Sequence, residues 1–139
     1  MTIQRASVVA MFALAGFAIL GGVGLAHHSR AGVYETNDKM ITMKGTVVDW
    51  KWRNPHTFLV WQTKDANGKA VEWTGELSSI TTMIAEGMSR NSFKPGEEVT
   101  ITAVPAKSGS PQSLLVKVVT TDGRVPIDRL KGRNGEIPD

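Results

Sequence analysis

The sequence predicts a mainly β protein, a five-stranded OB-like antiparallel barrel with one short helix between strands three and four. Three observations lead there. Five runs rich in β-branched and aromatic residues fall between residues 40 and 121, separated by turn residues. One segment with helical spacing lies between the third and fourth runs. That order of elements is the one a small Greek-key barrel uses, and closing the sheet removes edges that would otherwise pair with other chains.

The first run spans residues 40–52 (MITMKGTVVDWKW). Alternation puts Ile41, Met43 and Val47 on one face and Thr42, Lys44, Thr46, Val48, Trp50 and Trp52 on the other. Gly45 inside it marks a bulge or a tight bend of the kind barrel corners need. Asn54-Pro55 ends the run, because proline lacks an N–H and restricts its predecessor. A second strand is expected over 56–64 and a third over 69–77, joined by the hairpin turn Asp65-Ala66-Asn67-Gly68. Ser78 or Ser79 caps a short helix over 80–88, with Ile80, Met83, Ile84 and Met88 on its inner face. Lys94-Pro95-Gly96 turns into a fourth strand at 97–105, and a fifth follows at 113–121. The tail from Arg124 to Asp139 is charged and rich in Pro and Gly, and is expected to be extended and flexible.

The 139 residues carry 16 Lys and Arg against 13 Asp and Glu, a net charge of +3. An excess that small, spread along the chain, does not point to nucleic acid. With no Cys there is no disulfide, thiolate metal site, iron–sulfur cluster or cysteine nucleophile. The N-terminus explains where the protein goes. Arg5 precedes an uncharged run from Ala6 to Ala26, and Gly24 and Ala26 stand at the small-x-small positions before His27. This is the pattern of a secretory signal helix cleaved after Ala26, placing the mature protein in the periplasm or outside the cell. The other reading is an inner-membrane anchor through residues 6–26. The expected organisation is a signal peptide at 1–26, a polar arm at 27–39, a barrel at 40–123 and a tail at 124–139. A domain of roughly 110 residues buries about two-thirds of its unfolded surface, enough for one core.

Two groups of residues stand out jointly. One is Ala26-His27-His28-Ser29 behind the signal segment, with Lys44-Gly45-Thr46-Val47 and Trp52-Arg53-Asn54-Pro55-His56. The other is Glu76-Leu77-Ser78-Ser79, Gly87, and the run from Phe93 to Val99. Over about residues 26–123 the chain resembles the secreted bacterial domain-of-unknown-function family 6152. The resemblance implies export and a shared fold, and carries no activity.

The chemistry-bearing residues are few. All three histidines, His27, His28 and His56, lie in the distinctive motifs. Neutral imidazole suits Cu(II), Zn and Ni(II), and without thiolates the donors are nitrogen, which favours Cu(II). Cleavage after Ala26 would give His27 a free amine beside its own ring. Cleavage after Gly24 would make it the third residue, a position suited to square-planar Cu(II) or Ni(II). The expected site joins that amine, His27 or His28, and His56. The competing readings are an accessible polar arm for His27 and His28, and for His56 a residue bonding its own loop.

The alternative function is metal-independent capture of a peptide, glycan or envelope protein on the early strands through Trp50, Trp52, Arg53 and Trp61. Aromatics beside basic groups stack on ligands; tryptophan equally fills cores. Enzyme signals are poor. No G-x-S-x-G elbow surrounds Ser78-Ser79. Glu72 and Glu76 lie about 13 Å apart along a strand, too far to act on one bond. No catalytic residue is assigned, an enzyme would have to work through a bound metal, and the one cofactor the residues suggest is Cu(II), alternatively Zn or Ni(II).

Overall fold

The computed structural model describes residues 30–131. The signal segment, His27, His28 and the last eight residues lie outside the described residues. The chain folds as β1 (Ile41–Lys51), β2 (Phe58–Lys64), β3 (Ala70–Glu76), a short helix, β4 (Glu98–Pro105), β5 (Gln112–Thr120) and β6 (Ile127–Asp128). Before β1 come α1 (Arg30–Val33) and a 3-10 turn (Asn37–Lys39); the helix between β3 and β4 is α2 (Ile80–Ala85). Antiparallel pairs link β3 to β2, β2 to β1, β1 to β4 and β4 to β5. A parallel pairing of β3 with β5 closes the barrel. This is the OB-like arrangement that the order of runs predicts, with β1 and β2 paired across the Asn54-Pro55 turn.

Strand β1 serves two neighbours. Its first half, Ile41 to Thr46, pairs with β4, and its second half, Thr46 to Lys51, with β2. Gly45 stands beside this handover. A Cβ there would meet the Trp61 ring at 2.6 Å and the Gln62 carbonyl oxygen at 2.7 Å. Gly45 therefore answers to close approach, and the bulge falls later, between Val47 and Asp49. That extra residue flips the alternation. Trp50 lands on the same buried side as Val47, where unbroken alternation puts it on the opposite face. Val48, the bulged residue, is exposed.

The barrel interior holds Val47, Leu59, Trp61, Leu77, Ile101, Leu115 and Val118, extended by Met83, Met88 and Phe93 from α2 and the loop behind it. Ser79 caps α2 by accepting from the Thr82 N–H. The helix stops at Ala85, short of the expected 88, and Gly87 turns the chain at φ 82° so that Met88 re-enters the core. Ile84, expected on the inner face, is 59% exposed, because a helix this short buries one residue of its own, Met83.

A second apolar cluster covers the outside of β4 and β5: Tyr34, Val104, Ala106, Leu114 and Val116, with Met40 and Leu130 against it. Residues 30–40 thus pack onto the barrel, with Tyr34 bridging to Ala106. The start of the expected flexible tail is likewise ordered: β6 pairs with β5, Ile127 is buried, and the Arg129 side chain reaches Ser78 at 3.0 Å. Ile127 supplies the apolar anchor that the charged composition of this stretch concealed.

Gly45→Ala is expected to cost about 1–3 kcal/mol of stability, as overpacking against backbone does. Urea unfolding monitored by tryptophan fluorescence reads this as a lower midpoint at unchanged slope.

Candidate functional site

Glu76, the last residue of β3, gathers three groups from two separate parts of the chain, the N-terminal arm and the loop before β2. His56 Nδ1 lies 2.8 Å from its Oε1 and Arg30 Nε 3.9 Å from the same oxygen. The Tyr34 hydroxyl donates to Oε2 at 2.5 Å. The Glu76 side chain is 16% exposed and that of His56 42%, so the carboxylate sits behind a partly open imidazole.

Local pairing places each partner. Phe58 pairs with Glu76 in the β2–β3 ladder. Beyond it, the Leu77 N–H donates to the Thr57 carbonyl, and the Thr57 N–H and hydroxyl both donate to the Ser78 carbonyl. Thr57 is fully buried, and this lock sets the adjoining His56 beside Glu76. His56, expected as the first residue of the second strand, lies instead in the loop ahead of β2, which begins at Phe58. The peptide bond before Pro55 is cis, and the Asn54 side-chain oxygen accepts from the Ile80 N–H, tying this loop to the start of α2. On the arm side, the Glu35 N–H donates to the Pro105 carbonyl and the Lys107 N–H to the Val33 carbonyl. Lys107 Nζ donates to the Ala31 carbonyl at 2.7 Å. The β3–β5 pairing of Glu76 with Leu114 then brings the carboxylate up to this clamped arm.

A carboxylate accepts and does not donate, so in the neutral ring the His56 proton resides on Nδ1 and the Nε2 lone pair is free. Histidine ligands of metals are commonly held in this way by a carboxylate behind the ring. Burial pushes the Tyr34 phenol above its ordinary value. Its hydrogen bond to Glu76 and the charge of Glu76 push the same way, while Arg30 opposes them.

Of the sequence-predicted residues, His56 is at this site and His27 and His28 are not among the described residues. Among the described residues no group of three or more His, Asp or Glu is placed to hold a metal ion. Trp50, Trp52, Arg53 and Trp61 do not form one ligand face. Trp61 is fully buried and stacked on Trp73 at 6.1 Å between ring centroids. Trp50 is buried against Phe93 and Trp52, with its Nε1 donating to the Ser89 carbonyl. Trp52 is half-buried, and the Arg53 guanidinium lies 5.7 Å over the Phe58 ring. The bulge at Val48 is what drives Trp50 inward. Glu76, Tyr34 and Arg30 carried no chemistry-bearing pattern in the sequence, and the motif Glu76-Leu77-Ser78-Ser79 was the one signal for the first of them.

A family model described as Family of unknown function (DUF6152) matches residues 16–115. The chain belongs to this family. The DUF6152 match takes in Arg30, Tyr34, His56 and Glu76 and runs from the expected signal segment into β5. Among curated proteins and among solved structures, nothing matches the chain.

Tyr34 is the chain's one tyrosine, so tyrosinate absorbance reads it directly. The phenol ionises well above pH 10 in the folded protein and near 10 when unfolded. Its contribution to stability is therefore complete below about pH 10 and is lost as pH rises beyond it. Spectrophotometric titration should show delayed ionisation, with Glu76→Gln bringing it back toward pH 10.

Proposed function

We propose that this DUF6152 protein is an exported β-barrel that binds a divalent metal, Cu(II) by preference, between His56 and the N-terminal arm. The observation that carries the reading is the shared carboxylate: His56 Nδ1 and Arg30 Nε meet the same Glu76 oxygen. His28 and His27 precede Arg30 by two and three residues. An extended chain spans at most about 3.6 Å per residue, so both lie within roughly 7–11 Å of chain from an arm residue already beside His56.

The donor chemistry fits. His56 offers Nε2 while Glu76 fixes its ring from behind, and signal cleavage after Ala26 would supply the His27 amine and ring as further nitrogen donors. Nitrogen donors without thiolate select Cu(II), with Ni(II) and Zn as competitors. A bound Cu(II) would give the protein a role in holding or delivering the metal in the cell envelope. The ligands must be neutral, so affinity falls as pH drops below about 6.5, where histidine protonates.

The test is Cu(II) titration of exported protein whose start at His27 is first established by intact mass. His56→Ala should lose at least tenfold in affinity, and Glu76→Gln about 10- to 100-fold through loss of ring orientation. A chain extended by one alanine before His27 should also bind more weakly. Equal affinity in His56→Ala, or a mature protein that retains residues 1–26, contradicts the reading.

A further inference from the structure

Away from the Glu76 site, a groove of about 500 Å³ opens where β1 and β2 part, bordered by Lys44, Thr46, Gln62, Lys64, Glu98 and Thr100. We propose that this groove binds an extended acidic peptide by strand addition.

The backbone phase supplies the first argument. The Val47 N–H donates to the Glu97 carbonyl and the Val47 carbonyl accepts from the Gly96 N–H. Backbone groups alternate in direction along a strand, so the odd-numbered residues of β1's first half face β4 and the even ones face away. Thr46 accordingly meets Gln62 of β2, and the next rung would set Lys44 against Lys64. That rung is not made: the ladder ends at Thr46–Gln62. On the other side, the Asp65 N–H donates to the Lys69 carbonyl, so Thr63 and Asp65 face β3 and Lys64 faces the groove. The N–H and C=O of both lysines therefore point into the groove without a strand partner. A peptide strand is the ligand whose own backbone matches such a row.

Charge supplies the second. Like charges directly opposite one another destabilise an antiparallel rung, so a Lys44–Lys64 rung beyond the end of the ladder would be disfavoured. Among the described residues neither Lys44 nor Lys64 has an ion-pair partner. Carboxylates on alternate residues of an entering strand would lie between the two ammonium groups and convert a repulsive gap into an attractive one. Glu98 at the β4 side repels acid placed there, which confines the acidic side chains to the Lys44–Lys64 side. The remaining walls mix hydroxyl and amide groups with the apolar Ala70 and Val99, and Thr42 and Thr102 join hydroxyls at 3.1 Å.

The experiment is fluorescence anisotropy with a labelled eight-residue peptide alternating Glu with Val and Thr, titrated with full-length processed protein. Saturable binding is expected, weakening as salt rises. Lys44→Glu with Lys64→Glu should weaken it at least tenfold while leaving the melting temperature unchanged, since both side chains are exposed. Of two peptides N-methylated at every second residue in opposite phases, at least one should fail to bind. Full binding by both N-methylated peptides, or by the double variant, overturns the proposal. So does binding that emerges only when residues 132–139 are deleted, which would assign the groove to the chain's own end. Concentration-dependent dimerisation abolished by the double variant would assign it to a second copy and equally overturn the proposal.

Discussion

Two oxygens of one half-buried carboxylate tie the N-terminal arm and the loop before β2 to the end of β3. Glu76 accepts from His56 in the loop before β2 and from Tyr34 in the N-terminal arm, and Arg30 stands by as counter-charge. Charge-assisted hydrogen bonds contribute roughly 1.5–3 kcal/mol each, and a buried donor left without its acceptor costs about 1–3 kcal/mol. Removing this carboxylate would therefore unsettle the arm, the loop and the imidazole together. The cooperation runs both ways, since a docked arm shields the carboxylate and strengthens its hold on the His56 ring.

The barrel makes this convergence possible. Closure through β3–β5 places the end of β3 beside the outer face of β5, and the arm lies across that face. A flat sheet with the same strands would leave β3 at one edge and β5 near the other. The same closure forces β1 to divide its pairing between β4 and β2, with Gly45 at the crowded handover and a bulge three residues on. The groove at the β1–β2 fork is a product of how that long strand is shared.

Much of the barrel was legible because the signals are local. β-Branched runs, the Asp65–Gly68 hairpin with Gly68 at φ 77°, and the Ser79 cap all act within a few residues. The phase of Trp50 was not legible, since a bulge depends on how β2 meets β1 and leaves no mark in the alternation itself. The apolar run from Leu114 to Val116 did carry a hint: both faces of β5 are buried, one in the barrel and one beneath the arm. A polar arm with one tyrosine does not announce that it will dock, and a lone Ile127 does not announce a sixth strand. At the candidate site the sequence pointed to His56; Glu76 stands 20 positions after it and Tyr34 and Arg30 stand 22 and 26 before it, brought together by the β2–β3 register and the arm's docking.

Glu76 fixes the His56 ring with Nε2 free while tying the arm beside it. The most direct measurement is the ring tautomer of His56 in 15N-labelled protein, read from long-range proton–nitrogen correlations above the histidine titration range, with contacts between the Tyr34 and His56 rings sought in the same sample. The account predicts a proton on Nδ1, a bare Nε2, and conversion to the Nε2–H form in Glu76→Ala. A His56 ring protonated on Nε2 in the unaltered protein, or one whose tautomer is indifferent to Glu76, would contradict it.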